Sequence, residues 1–346
     1  MVTLLFTCAG GELAPFLISL IRGSSRHRIR VVAVDGREDA AGRAIADAFH
    51  KVPYGSAPDY VDAIVDIVRR EKVTLVLPTS DEEAVALSAA RARIAEAGAE
   101  LACTDHDTLK LFSDKAATYQ RLASEGLHVP DWRCCTGRDA AVIAIDDLLA
   151  AHGECVVKPA KARGGRGVSV IRKDVAGAST EFGGRELHID RETFLNTELT
   201  RLPEQDAIIV MERLVAPVLD IDMLAWQGRP IRVVPRRRVN TALPNEGHVL
   251  IDAPELRALG EKLVEIFKLT WLYDCDVMLD RDGRPNVLEI NPRPSGSVSA
   301  SIAAGVPLID DMISLMQGQP VPPMTPPYGR VVVPIKALAI AGRPLP

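Results

Sequence analysis

The first third of the chain alternates short β-rich runs with helical patterns, and that alternation limits the fold more than any other feature of the sequence. It begins with Val2-Thr3-Leu4-Leu5-Phe6-Thr7, passes through a helical stretch from about Leu13 to Ile21, and becomes extended again at Ile29 to Val34. Helical patterns at about Tyr60 to Glu71 and Glu82 to Ala97 separate further strands at Leu75-Val76-Leu77-Pro78 and Leu101-Ala102-Cys103. Strands joined through helices are expected to run parallel, because a parallel return needs a crossover connection. Gly98 follows the second of these helices as a suitable C-cap. The expectation is a Rossmann-like α/β module.

Cys8-Ala9-Gly10-Gly11 after the first strand, with Asp35 ending the second, invites a dinucleotide-site reading. The fingerprint G-x-G-x-x-G is absent, and Glu12 stands where a carboxylate would repel phosphate, so the glycine pair reads as a structural tight turn. Asp81 to Glu83 could line a ligand crevice at the strand ends or simply compensate a helix dipole, and both readings stand at this point.

From about Asp105 the pattern changes. A helix of Leu109 to Glu125 leads to strands near Trp132 to Cys135 and at Cys155 to Val157, followed by a glycine-rich loop and a polar segment from Lys173 to Gln205. Strands resume at Ile208 to Met211, Asp220 to Ala225, Ile231 to Val234, Asp276 to Leu279 and Asn286 to Ile290, with a helix from about Ala253 to Phe267. Strands that follow one another mainly without helices predict antiparallel sheets and an α+β body. A proline-rich tail carries one last strand, Arg330 to Ile340.

Composition excludes several classes. In 346 residues, Lys plus Arg number 41 against 46 Asp plus Glu, a net charge of −5 that rules out a global basic footprint for nucleic acid. The apolar runs fall far short of the ~20 residues that span a bilayer, and the N-terminus lacks a signal-peptide pattern, so a cytoplasmic protein is expected. The six cysteines form no C-x-x-C pair, and the seven histidines supply no companion spacing, so they read as reduced core thiols.

Three segments carry chemistry. In Val156 to Val168, Gly164, Gly165 and Gly167 allow backbone amides to curl round phosphate, while Lys158 and Arg163 or Arg166 bring positive charge. A triphosphate lid and a hairpin turn with surface cations both fit, and the segment is no P-loop. The second is Asp276 with Glu289-Ile290-Asn291-Pro292-Arg293. Alternation puts Glu289, Asn291 and Arg293 on one face, and a turn at 280–284 would bring Asp276 beside Glu289. Two carboxylates and an amide oxygen make a hard oxygen set suited to Mg²⁺. The third is Met211-Glu212-Arg213-Leu214 followed by Asp220-Ile221-Asp222, which fits an adenine-and-ribose edge or a plain domain hinge.

Together these segments resemble the ATP-grasp superfamily over roughly residues 1–320, most like the branch of the carbamoyl-phosphate synthase large chain and biotin carboxylase. The resemblance implies a Rossmann-like preceding domain over 1–104 and an ATP-grasp fold of two α+β lobes over 105–320, with a lid lobe at about 117–211 and a C-terminal segment at 321–346. Ser113-Asp114-Lys115 matches the family's S-D-[KR] helix, so Lys115 and Lys158 are the implied phosphate cations and Gly164, Gly165 and Gly167 the lid. Glu212 and Leu214 match the adenine hinge and Asp220 the ribose acid; Asp276, Glu289 and Asn291 match the metal ligands, and Arg293 the arginine that orients phosphate or acceptor. Asp276 departs from the Gln or Glu often found there. With one such unit and no biotinyl-Lys motif, neither carbamoyl phosphate synthesis nor biotin carboxylation is expected.

The implied cofactors are ATP and Mg²⁺ or Mn²⁺, and the implied reaction is a carboxylate–amine ligation through an acyl phosphate. The expected partners are a small-molecule carboxylate and an amine, with no nucleic acid or membrane; a homodimer is left open. In the basic strand Pro235-Arg236-Arg237-Arg238, alternation points Arg236 and Arg238 to one face, so Arg238 reads either as a carboxylate clamp or as part of a surface charge run. A non-amine acceptor, a kinase-type product or a non-catalytic nucleotide-binding regulator are the alternatives.

Overall fold

The computed structural model describes all residues except 162–166, 182–185, 204, 242, 244 and 336–346. Its first sheet contains β1 (Val2–Phe6), β2 (Ile29–Asp35), β3 (Ala48–Lys51), β4 (Leu75–Leu77) and β5 (Glu100–Leu101), in the order β3-β2-β1-β4-β5 and parallel throughout. Helices α1 (Ala14–Arg22) and α2 (Tyr60–Glu71) make the crossovers expected of it. In α2 the buried residues Tyr60, Ile64 and Val68 recur at helical spacing, with Asp62 in the first turn and Arg69 and Arg70 in the last to complement the dipole.

The helix expected over 82–97 is broken into α3 (Asp81–Ala89) and α4 (Arg91–Glu96). The chain turns at Ala90, and the Arg91 guanidinium donates to the carbonyls of Leu101 (3.0 Å) and Thr104 (2.7 Å). The helix expected over 109–125 is likewise two: α5 (His106–Phe112) and α6 (Lys115–Ser124). Asp114 leaves the helical conformation, and its carboxylate accepts from the backbone N–H of Ala116 and Ala117, capping α6.

The second sheet holds β6 (Trp132–Cys135), β7 (Glu154–Pro159), β8 (Val168–Arg172), β9 (Ala178–Glu181), β10 (Glu186–Ile189) and β11 (Ile208–Met211), in the order β6-β11-β7-β8-β10-β9. All its pairings are antiparallel except β8 with β10. The segment read only as polar thus contains β9, β10 and the short helices α8 (Arg191–Asn196) and α9 (Glu198–Arg201), capped at Asp190. With α7 (Arg138–His152), this sheet encloses a small core of its own, built on Ile145, Leu148, Phe194 and Val210.

The third sheet is antiparallel: β12 (Val215–Trp226), β13 (Arg229–Arg238), β14 (His248–Leu250), β15 (Trp271–Leu279), β16 (Pro285–Asn291) and β17 (Val331–Val332), in the order β16-β15-β12-β13-β14-β17. Helices α10 (Pro254–Ile266), α11 (Val298–Ala303) and α12 (Leu308–Met316) complete this part of the chain. It shares one continuous core with the N-terminal sheet. The tail strand is shorter than expected, and the rest of its expected span, beyond residue 335, lies outside the described residues. The cysteines are all free, but only four are buried: Cys8 is half-buried and Cys134 exposed, correcting the reading of all six as core thiols. Among the described residues, no helix is long and apolar enough to cross a membrane.

Candidate functional site

A cleft of about 710 Å³ lies between the second and third sheets. Its apolar end is walled by Val156, Val168, Met211 and Leu288, where the chain leaves β11 for the Glu212–Leu214 crossing. Glu212 is partly committed there: its Oε1 accepts from the Asp131 N–H at 2.8 Å, and its own N–H donates to the Asp131 carbonyl at 2.9 Å. That pair fixes the crossing and leaves Leu214, 5% exposed, against the cleft.

The polar end is built on cross-strand pairing. The turn after β15 closes with the Asp280 N–H on the Arg284 carbonyl at 2.9 Å, and Gly283 takes the left-handed conformation with φ 81°. The resulting register sets Asp276 opposite Glu289 and Asp274 opposite Asn291, as expected for the first pair. On the other side of β15, Asp276 faces Asp220 and Asp274 faces Asp222. Residues facing one another across an antiparallel pair share a side of the sheet, so these six form two rows across three strands.

A register shift between Asp276 and Val277 bulges β16 at Leu288. The Leu288 carbonyl accepts the Tyr119 hydroxyl at 3.2 Å, and that hydroxyl in turn accepts from Lys158 Nζ at 3.1 Å. Burial pushes the Lys158 ammonium down to about 8, and nearby Glu289 only partly restores it. Lys115, in the first turn of α6, pairs with Glu289 at 3.2 Å. Both lysines line the cleft beside the acidic rows. Of the glycines expected to form a lid, Gly164 and Gly165 lie outside the described residues. Gly167 is left-handed (φ 71°), and a Cβ there would lie 3.3 Å from the Pro159 ring.

Two buried arginines answer the acidic rows from β13. Arg236 and Arg238 face inward and Arg237 outward, the alternation expected. Arg236 donates to both oxygens of Asp222 at 2.8 Å and to Asp274 at 3.2 Å, while Arg238 pairs with Asp220 at 2.8 Å and Asp276 at 3.0 Å. Arg238 is therefore neither a surface charge nor an open clamp; its fork is already spent on two aspartates. Asp220, 1% exposed, sits in this floor beneath the cleft rather than standing free at the crossing to meet a ribose.

The arginines do not neutralise the four aspartates evenly. Asp220 is held below the usual carboxylate range, the cost of its burial being outweighed by Arg236 and Arg238. Asp276 is pushed up to about 7, chiefly by burial, with Asp220 and Glu289 adding to it against Arg238. Asp274 is raised well above the usual range by burial and by Asp276 and Asp220. Oxygens of Asp220, Asp274 and Asp276 lie within 4.8 Å of one another, so the floor has more negative charge than its arginines relieve. That surplus is what a divalent cation beside Asp276, Glu289 and Asn291 would answer, and the donor set fits Mg²⁺.

Arg293 lies beyond the end of β16 and lines the cleft. Its Nε is 2.8 Å from Asp81 Oδ1, an ion pair in which the N–H does not point along the contact. Asp81 at the head of α3 thus pairs with Arg293 as well as facing the helix dipole. The residues missed from sequence are Tyr119, Asp222 and Asp274. Strand alternation could have found the two aspartates, each two positions from an assigned one; Tyr119 depends on the bulge, which leaves no local pattern.

Residues 5–102 match a family model described as the PylC-like N-terminal domain, residues 100–242 the sugar-transfer associated ATP-grasp, and residues 204–337 the ATP-grasp in the biosynthetic pathway with Ter operon. A formate-dependent phosphoribosylglycinamide formyltransferase of Burkholderia thailandensis is 33% identical over 169 residues, 47% of this chain and 38% of that protein. The chain thus spans well under half the length of such curated relatives. Among solved structures, N5-carboxyaminoimidazole synthetase from Staphylococcus aureus complexed with ADP aligns with a TM-score of 0.66 at 15% identity, covering 93% of this chain and 78% of that one. Biotin carboxylase from Campylobacter jejuni gives 0.65 at 15% identity (93% and 72%), and an L-amino acid ligase from Bacillus licheniformis 0.62 at 15% (90% and 73%). At such identity the likeness is one of fold, and it agrees with the three family models: the chain belongs to the ATP-grasp superfamily.

Proposed function

We propose that the chain is an ATP-dependent carboxylate–amine ligase that works through an acyl phosphate. The observation that carries the reading is the convergence of Lys115, Lys158 and the Asp276–Glu289–Asn291 set at one end of a cleft whose other end is apolar and crossed by the chain at Glu212–Leu214. Adenine would lie against Leu214 and Met211, and the two lysines would neutralise the phosphates. Asp276, Glu289 and Asn291 would hold the divalent cation, which when bound screens charge on the transferring phosphoryl group.

A carboxylate oxygen of the substrate attacks the γ-phosphorus and the bond to the bridging oxygen breaks, releasing ADP. The amine then attacks the acyl carbon, displaces phosphate and gives up a proton. Arg293 supports this second half, since its guanidinium lies where the cleft meets the N-terminal sheet and can turn from Asp81 toward an anionic group. Transfers of this kind need charge neutralisation and alignment more than a strong base.

The test is ADP release over a panel of carboxylates with and without amines, with mass spectrometry of the products. Hydroxylamine should trap an acyl hydroxamate, and ¹⁸O from labelled carboxylate should appear in phosphate. Glu289→Gln should abolish turnover and keep the fold. A stable phosphorylated product formed without amine would move the assignment to a kinase, and wild-type rates in Glu289→Gln would overturn the metal set.

A further inference from the structure

We infer that Asp274, which touches neither nucleotide nor metal in the proposed reading, is the positioning residue that turns the Asn291 amide so that its oxygen faces the cation. The inference rests on that metal assignment. Asn291 Nδ2 donates to Asp274 Oδ2 at 3.0 Å, with both residues buried. In this contact the Asp274 oxygen accepts and the nitrogen end of the amide donates, which sends Oδ1 the other way. Asn291 Oδ1 makes no hydrogen bond among the described residues, and Asn291 lines the cleft. Without that acceptor nothing across the contact keeps the NH₂ turned away from the cation, and an NH₂ is no ligand.

Asp274 is itself held. Its Oδ1 accepts from Arg236 Nη2 at 3.2 Å; Arg236 is anchored on both oxygens of Asp222 and donates to His248 Nδ1 at 2.8 Å. The orientation therefore passes from β13 through β15 to β16, one side chain per strand. Asp274 and Asn291 are directly opposed in register, so the short contact needs no long side chain to reach across. Outer groups that orient ligands in this way shape metal affinity without touching the metal.

The experiment measures Mn²⁺ binding in the presence of ADP by the free-ion electron paramagnetic resonance signal, on the full chain. Asp274→Leu keeps similar bulk but accepts nothing, and should weaken Mn²⁺ about 10- to 100-fold, the usual cost of losing such a group. Asp274→Asn keeps an accepting oxygen and should stay near wild type. In an Asn291→Ala background, Asp274→Leu should cost nothing further, because a residue acting only through Asn291 has nothing left to orient. Equal losses in the leucine and asparagine variants, or a loss that persists without Asn291, would overturn the inference. Should the leucine variant fail to fold by circular dichroism, the exchanged pair Asp274→Asn with Asn291→Asp carries the test. It keeps one donor and one acceptor across the contact, and a loss of tenfold or more overturns the inference. A wild-type chain that holds no Mn²⁺ with ADP removes the metal assignment and the inference together, whereas wild-type binding with an unaffected Asp274→Leu removes the inference alone.

Discussion

Lys158 shows how one side chain can be costly to the empty fold and suited to an anion. It is buried, its ammonium shares the Tyr119 hydroxyl, and its pKa falls to about 8 because burial disfavours the charged form. The unfolded chain therefore binds more protons than the folded one between about pH 8 and the ordinary lysine value of about 10.4, so this lysine's penalty on stability is full below pH 8 and fades as pH rises through that window. Thermal melts should show Lys158→Met more stable than wild type at pH 7, with the difference shrinking by pH 10. The same variant should lose nucleotide affinity at pH 7, and a pH-independent gap in the melts would refute the titration. Sequence alone could mark Lys158 as a strand-end cation beside glycines. It could not show the tyrosine that shares its proton, because that contact depends on a bulge on a strand more than a hundred residues away.

At the level of elements, α6 places Lys115. Its N-cap is Asp114, whose Oδ1 accepts two backbone N–H groups, at 3.0 Å from Ala116 and 3.1 Å from Ala117. Asp114→Ala should cost about 1 kcal/mol of stability, as lost caps do. Because the freed turn carries Lys115, the affinity for ATP should fall as well, which calorimetry would read; a loss of stability with unchanged affinity would separate the cap from the site. The Ser113-Asp114-Lys115 motif was legible in the sequence, but its local meaning was not. A continuous helix over 109–125 satisfied the apolar spacing, and the break follows from competition by the Asp114 side chain for backbone hydrogen bonds. Alternation and the hairpin turn did better: alternation put Arg236 and Arg238 on one face, and the turn put Asp276 beside Glu289. It could not say that the arginines point at the aspartates rather than at a substrate, since that depends on which strand lies next to β13.

For the whole molecule, a buried carboxylate helps to tie the N-terminal sheet to the rest of the chain, alongside the apolar core they share. Asp311 on α12, fully buried, meets Arg26 from the segment between α1 and β2 and Arg232 on β13 at 2.9 Å. Removing one partner of such a group strands the others, so Asp311→Ala should destabilise by about 3 kcal/mol or more, read as a lowered melting temperature. Near-neutral melting would mean that the joint is dispensable. The parallel N-terminal sheet was readable because helix–strand alternation is a local pattern, whereas nothing local in Arg26, Arg232 or Asp311 announces that they meet. The second sheet, by contrast, encloses a smaller core of its own, while Ile209 and Met211 of β11 join the larger one.

The two rows of charge across β16, β15 and β12 also act as an alignment mark for the sheet. Side chains on a strand alternate, so sliding β15 by one residue would carry Asp274 and Asp276 into the apolar interior and turn Cys275 and Val277 toward the cleft. Arg236 and Arg238 would then keep only Asp222 and Asp220 on β12, while two carboxylates were buried without any partner. A one-residue slip is thus penalised at several positions at once, and the right register is rewarded at all of them. The charged rows that line the cleft double as the sheet's proofreading, so a descendant that discarded them would need some other means of telling its strands where to stop.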